Sequence, residues 1–162
     1  MVSIIKKKIH FPLVALLLLI SPAAFSKPDW ISIEGLYDKL DKTQDTTYLA
    51  TIFFRCSALQ FVMAGSIEKD FGESQIDMIA VYRDSAAKAS QAALWAEKKK
   101  REERGAKPRS DEERFSSAEK TIEPMATEYV LWMNDNQLQT GDRIDEGLKR
   151  ELLFCSEIVE SL

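Results

Sequence analysis

From residue 33 onward, apolar side chains recur at steps of three and four, the spacing that places them on one face of a helix. The strongest such pattern spans residues 46–65, where Tyr48, Ile52, Cys56, Leu59 and Met63 share a face. Phe53, Phe54, Phe61 and Val62 fall on the other faces, so this helix is apolar nearly all round and should be buried. Asp45 or Thr46 suits its start and Gly65 its end. A second pattern, 74–104, turns Met78, Tyr82, Ala86, Ala89, Ala93 and Ala96 inward with Ile79 and Val81 alongside, and stops at Gly105. Its alanines favour helix and let a neighbouring helix approach closely.

The third pattern, 110–137, opens on Ser110 and Glu113 at capping-box spacing. Phe115, Ala118, Ile122, Met125, Tyr129 and Trp132 form its stripe, which stays in phase across Pro124 and so predicts a kinked helix, not two separate ones. The fourth, 142–161, starts at Asp142 and carries Ile144, Leu148, Leu152, Cys155, Val159 and Leu162. A short leading helix over 33–41, with Ile33, Leu36, Tyr37 and Leu40, covers one end of the core and is anchored by Trp30. No strand-like alternation competes with these patterns, so the predicted class is all-α. Short connections make successive helices antiparallel, giving a four-helix-type bundle in which the first and last long helices are neighbours.

That arrangement pairs the cysteines. Cys56 and Cys155 are the chain's two cysteines, and both occupy core stripes on those two helices. Mid-helix burial among phenylalanines disfavours a reactive thiolate, so the expectation is a structural disulfide. Closing a loop of about 100 residues stabilises by up to roughly 4.7 kcal/mol in the chain-entropy view.

The N-terminus changes the picture of where the protein works. Lys6, Lys7 and Lys8, an apolar stretch from Phe11 to Ile20, and small residues before Lys27 have the layout of a secretory signal, residues 1–26. An uncleaved anchor would need about 20 apolar residues, and Pro12 and Pro22 bracket a shorter run. The mature single domain would then be 27–162, in a periplasmic or extracellular setting where disulfides persist. Removing the signal takes 22 basic residues to 19 against 26 acidic ones, a formal charge of −7. Such a surface argues against nucleic acid and anionic lipid as partners. The single histidine, His10, leaves with the signal. Triads built on a histidine base, the common zinc sites and histidine-ligated haem are thereby excluded, and no cofactor or metal is expected.

Few residues remain as candidates for chemistry. Arg55, with Thr51 one turn before it, is expected on a narrow wet strip with its stem on apolar neighbours. The alternative is a buried Arg55 paired with a carboxylate or an anionic ligand. A spanning helix is disfavoured, since Arg55 at a bilayer centre costs roughly 2.5 to 3.5 kcal/mol. Residues 97–114 hold eight basic and six acidic residues, a solvated tip or a docking protrusion that includes Lys99 and Arg101. Trp95 marks either an interface or a contact with the leading helix. Glu123, Glu128, Asp135 and Glu157 lie near apolar residues, but two carboxylates at a working separation are needed for hydrolysis and no local motif brings them together. The expected function is non-enzymatic protein binding, as an accessory, inhibitor or assembly factor, with homo-oligomers compatible. The alternatives are a small-ligand bundle centred on Arg55 and its surrounding aromatics, or a histidine-free carboxylate hydrolase.

Overall fold

The structure, a computed structural model, describes residues 30–162; the signal reading and His10 lie outside them. The described residues form helices α1 (Ile33–Thr43), α2 (Thr46–Phe71), α3 (Ile76–Glu103), α4 (Asp111–Thr140) and α5 (Glu146–Glu160), with a 3-10 turn at Gly72–Gln75. The expected all-α bundle with a leading helix is the observed architecture. Local chemistry sets the boundaries. Ser32 Oγ accepts from the Gly35 amide at 3.1 Å, Asp45 caps α2 through the Thr47 amide at 2.8 Å, and Ser110 and Glu113 complete a capping box.

Two helix boundaries depart clearly from the sequence pattern. Gly65 does not end α2, which runs on to Phe71 because Ile67 still has a core to enter, packed with Ala64 and Ile79. The turn after it relies on Gly72, whose φ of 56° favours a residue without Cβ. The cap of α5 is Asp145, not Asp142: its carboxylate accepts from the Leu148 amide at 2.7 Å. Helix α4 is continuous through Pro124. Lys120, whose carbonyl loses its helical donor there, and Pro124 are both exposed, so water can supply the missing bond.

Helix α2 is the axis of the molecule, with 14 of its 26 residues buried, and α3, α4 and α5 each pack on a different side of it. α3 returns antiparallel: Thr46 reaches Glu103, Ser57 shares a 2.6 Å hydrogen bond with Ser90, and Arg83 pairs with Glu68. α4 then runs alongside α2 in the same direction, so that Arg55 meets Tyr129 and the far ends meet through Asp70 and Arg143 at 2.7 Å. α5 runs back, and Cys56 and Cys155 form the disulfide that clamps it to α2, with Cα atoms 5.2 Å apart. By length and hydropathy the stretch from Thr46 could cross a membrane; 78% of its most apolar window is buried inside the bundle.

Burial follows most of the predicted stripes. Ala86, Ala89, Ala93 and Ala96 are fully enclosed, so the small-residue face of α3 is used internally. Met78, Val81, Phe115 and Leu162, expected inward or beside the stripe, are 47%, 64%, 59% and 63% exposed. Met78 and Phe115 lie in the first turns of α3 and α4, Val81 lies on the face of α3 turned away from the packed Ile79, and Leu162 lies past the end of α5.

Candidate functional site

The most concentrated chemistry among the described residues is a buried polar cluster where α2, α4 and α5 meet. Arg55 does not lie on a wet strip: it is 3% exposed, and its Nη2 donates to both carboxylate oxygens of Glu151 at 2.7 and 2.8 Å. Nε donates to the Tyr129 hydroxyl oxygen at 3.2 Å, and that hydroxyl donates to Glu151 Oε2 at 2.5 Å. Nη1 donates to the Ile31 carbonyl. The Trp30 ring covers the guanidinium at 4.5 Å and meets Tyr129 edge-on at 5.2 Å. A charge removed from water survives only when paired and hydrogen-bonded, and here both conditions are met within the chain. The carboxylate that Arg55 needed is therefore Glu151 of its own fold.

The cluster extends in two directions. Tyr129 stacks with Trp132 at 6.2 Å, and Trp132 Nε1 donates to Asp145, the cap of α5, at 3.1 Å. On the other side lies the disulfide, since Cys56 follows Arg55 and Cys155 lies one turn after Glu151. Burial, then the negative charge of Glu151, hold the Tyr129 phenol well above its ordinary pKa of 10.0. This phenol therefore acts as a donor to the carboxylate and not as a source of protons. A groove of about 530 Å³ adjoins the cluster, bounded by Trp30, Leu36, Thr51, Arg55, Pro124 and Met125, with Glu128 alone of the four candidate acids in its lining.

The other candidates are dispersed. Glu123 and Glu157 are exposed on different helices, while Asp135 is buried and accepts from Gln139 at 2.7 Å. Among the described residues, no three side chains of the His, Cys, Asp and Glu types come together as a metal site. Trp95 is 53% exposed and is not covered by the leading helix, because α1 packs on α2 and α5. Lys99 sits 3.9 Å from Glu102 on the surface. Arg101 lines a cleft of about 350 Å³ between the end of α3 and the start of α4, where its Nη2 donates to the Lys107 carbonyl at 2.9 Å and its buried Nε has no acceptor.

A second feature escaped the sequence patterns, because it depends on which connections share an end of the bundle. The α2–α3 turn and the α4–α5 connection are joined by the Asp70–Arg143 pair. At this end Phe71, Ile76, Met78 and Leu138 are 60%, 62%, 47% and 82% exposed. The opposite end carries the charged 97–114 connection. No protein-family model matches the chain, and no match appears among curated proteins or solved structures.

Proposed function

We propose that this chain is an exported helical bundle, working in the periplasm or outside the cell, that acts without catalysis by binding another protein as an accessory, inhibitor or assembly factor. The disulfide supports an oxidising location. The carrying observation is the group Phe71, Ile76, Met78 and Leu138, four of the large exposed apolar side chains, which lie at one end of the bundle. Scattered exposed apolar residues need no explanation, but several at one end mark an interaction surface. The interior polar cluster supports the non-catalytic side of the reading, because Arg55, Glu151 and Tyr129 are hydrogen-bonded to one another and buried.

Affinity capture from the native envelope tests this, with the mature protein and a Phe71→Ser/Ile76→Ser/Leu138→Ser variant as paired baits. Exposed substitutions of this kind cost little stability, within about 0.5 kcal/mol each. Specific capture by the first bait and its loss in the second is expected; equal capture by both would remove the end surface from the proposal. A second reading, a small-ligand bundle, is favoured by the groove beside Arg55. With the guanidinium already matched by Glu151, its ligand would be apolar, and a small molecule co-purifying with the mature protein would support it.

A further inference from the structure

We infer that the apolar end of the bundle accepts a cationic amphipathic helix of its protein partner; the inference rests on the protein-binding reading and names the partner's chemistry. The two connections that build this end, residues 66–79 and 134–147, contain eight acidic and two basic residues. Internal pairing absorbs only part of that charge: Glu68 pairs with Arg83, Asp70 with Arg143 and Glu146 with Lys149. Glu73, Asp77 and Asp142 form no ion pair among the described residues, and all three are exposed beside Phe71, Ile76 and Leu138 in the chain or across the end. The opposite connection, with eight basic and six acidic residues, has the reverse balance.

An apolar surface rimmed by unpaired carboxylates selects its occupant in two ways. Burial of Phe71, Ile76, Met78 and Leu138 needs apolar anchors, and the rim needs Lys or Arg beside them, because like charges across an interface are costly. The described residues offer no strand edge, so an extended peptide has no backbone ladder to join. A helix with anchors at i, i+3, i+4 and i+7 and basic flanks meets both demands. A second copy docking end to end would bring the two acidic rims together.

The test uses the mature, disulfide-bonded protein and a fluorescent synthetic Lys/Leu amphipathic helical peptide, with anisotropy read at low and high salt. Its controls are a scrambled peptide of the same composition and a Glu/Leu counterpart. Binding of the Lys/Leu peptide at least about tenfold tighter than either control is expected, weakening with salt as the Debye length shrinks. Glu73→Lys/Asp77→Lys and Phe71→Ser/Ile76→Ser variants should each lose about tenfold in affinity, the order of effect of removing a central interface contact. Equal binding of the scrambled peptide, or full binding by the charge-reversed variant, overturns the inference. If the apolar variant loses the native partner while the charge-reversed one keeps it, the cationic partner is wrong and the protein-binding reading stands. If neither variant loses it, that reading fails at this end as well. Self-association in sedimentation that the apolar variant abolishes would assign the end to a second copy instead.

Discussion

Replacing Glu151 by glutamine keeps the side chain's size and leaves the Arg55 guanidinium buried without its counter-ion. Arg55 would retain the Tyr129 hydroxyl, the Ile31 carbonyl and the face of Trp30, but no negative charge. Breaking one side of a buried pair costs about 3 to 5 kcal/mol, because the remaining charge has lost water and gained nothing in its place. For about 130 residues the unfolding entropy is near 0.27 kcal/mol/K, so the expected fall in Tm is roughly 11 to 18 °C. Urea unfolding at pH 7 with the disulfide intact measures it, and an unchanged m-value would show that the unfolded state is comparable. Arg55→Met should cost a similar amount by stranding Glu151. The Arg55→Met/Glu151→Met double variant, apolar on both sides, should be more stable than either single variant. A loss below about 1 kcal/mol for Glu151→Gln, or a double variant whose loss is the sum of the two, would refute the view that this pair is desolvated and coupled.

Gly65→Ala should stabilise the protein by about 0.5 to 1 kcal/mol in calorimetry, since Gly65 lies inside α2 and an added Cβ meets nothing within 4 Å. Stability should be constant near neutrality and fall as pH rises past 10. The unfolded Tyr129 phenol ionises near 10.0 while burial and Glu151 keep the folded one protonated, so the unfolded state loses its proton first. Tyr129→Phe should flatten that alkaline limb in urea midpoints measured across the range, while costing about 1 to 3 kcal/mol at pH 7 for the hydrogen bonds lost. Thiol labelling of the unfolded, unreduced mature protein should find no free cysteine, and Cys56→Ser/Cys155→Ser should lose about 2 to 5 kcal/mol; two labelled thiols in that unfolded protein would contradict the clamp.

The disulfide was legible because it needs only helical phase and chain order: two cysteines on inward stripes of the first and last long helices. Arg55 was misread for a related reason. A charged residue in an apolar helix ordinarily turns to water, and the acid that reverses this lies 96 residues away. The signal existed, though weakly: Glu151 precedes Cys155 by one turn, and Arg55 precedes Cys56. Once the cysteines are joined, Glu151 falls within reach of the long Arg55 side chain. Helix ends were harder. Gly65 reads locally as a stop, yet packing of Ala64 and Ile67 against Ile79 of α3 carries α2 past it. Met78 and Phe115 keep the phase of their stripes, but phase cannot say whether a neighbour extends far enough to cover them. Trp95 depended on where α1 docks, which the 33–41 pattern does not encode. The acidic, apolar end was not visible as a unit, because it is assembled from two connections separated by the whole of α3 and α4.

Joining Cys56 to Cys155 across 99 positions also turns most of the protein into a covalent ring. The ring contains the rest of α2, all of α3 and α4, and most of α5, while α1 hangs outside it as a tail. A protease that cuts the exposed connection between Gly105 and Ser110 would therefore open the ring without dividing the molecule. Both pieces stay tethered through sulfur at the level of the Arg55–Glu151 pair. In a compartment exposed to proteases, one break within the ring leaves one particle.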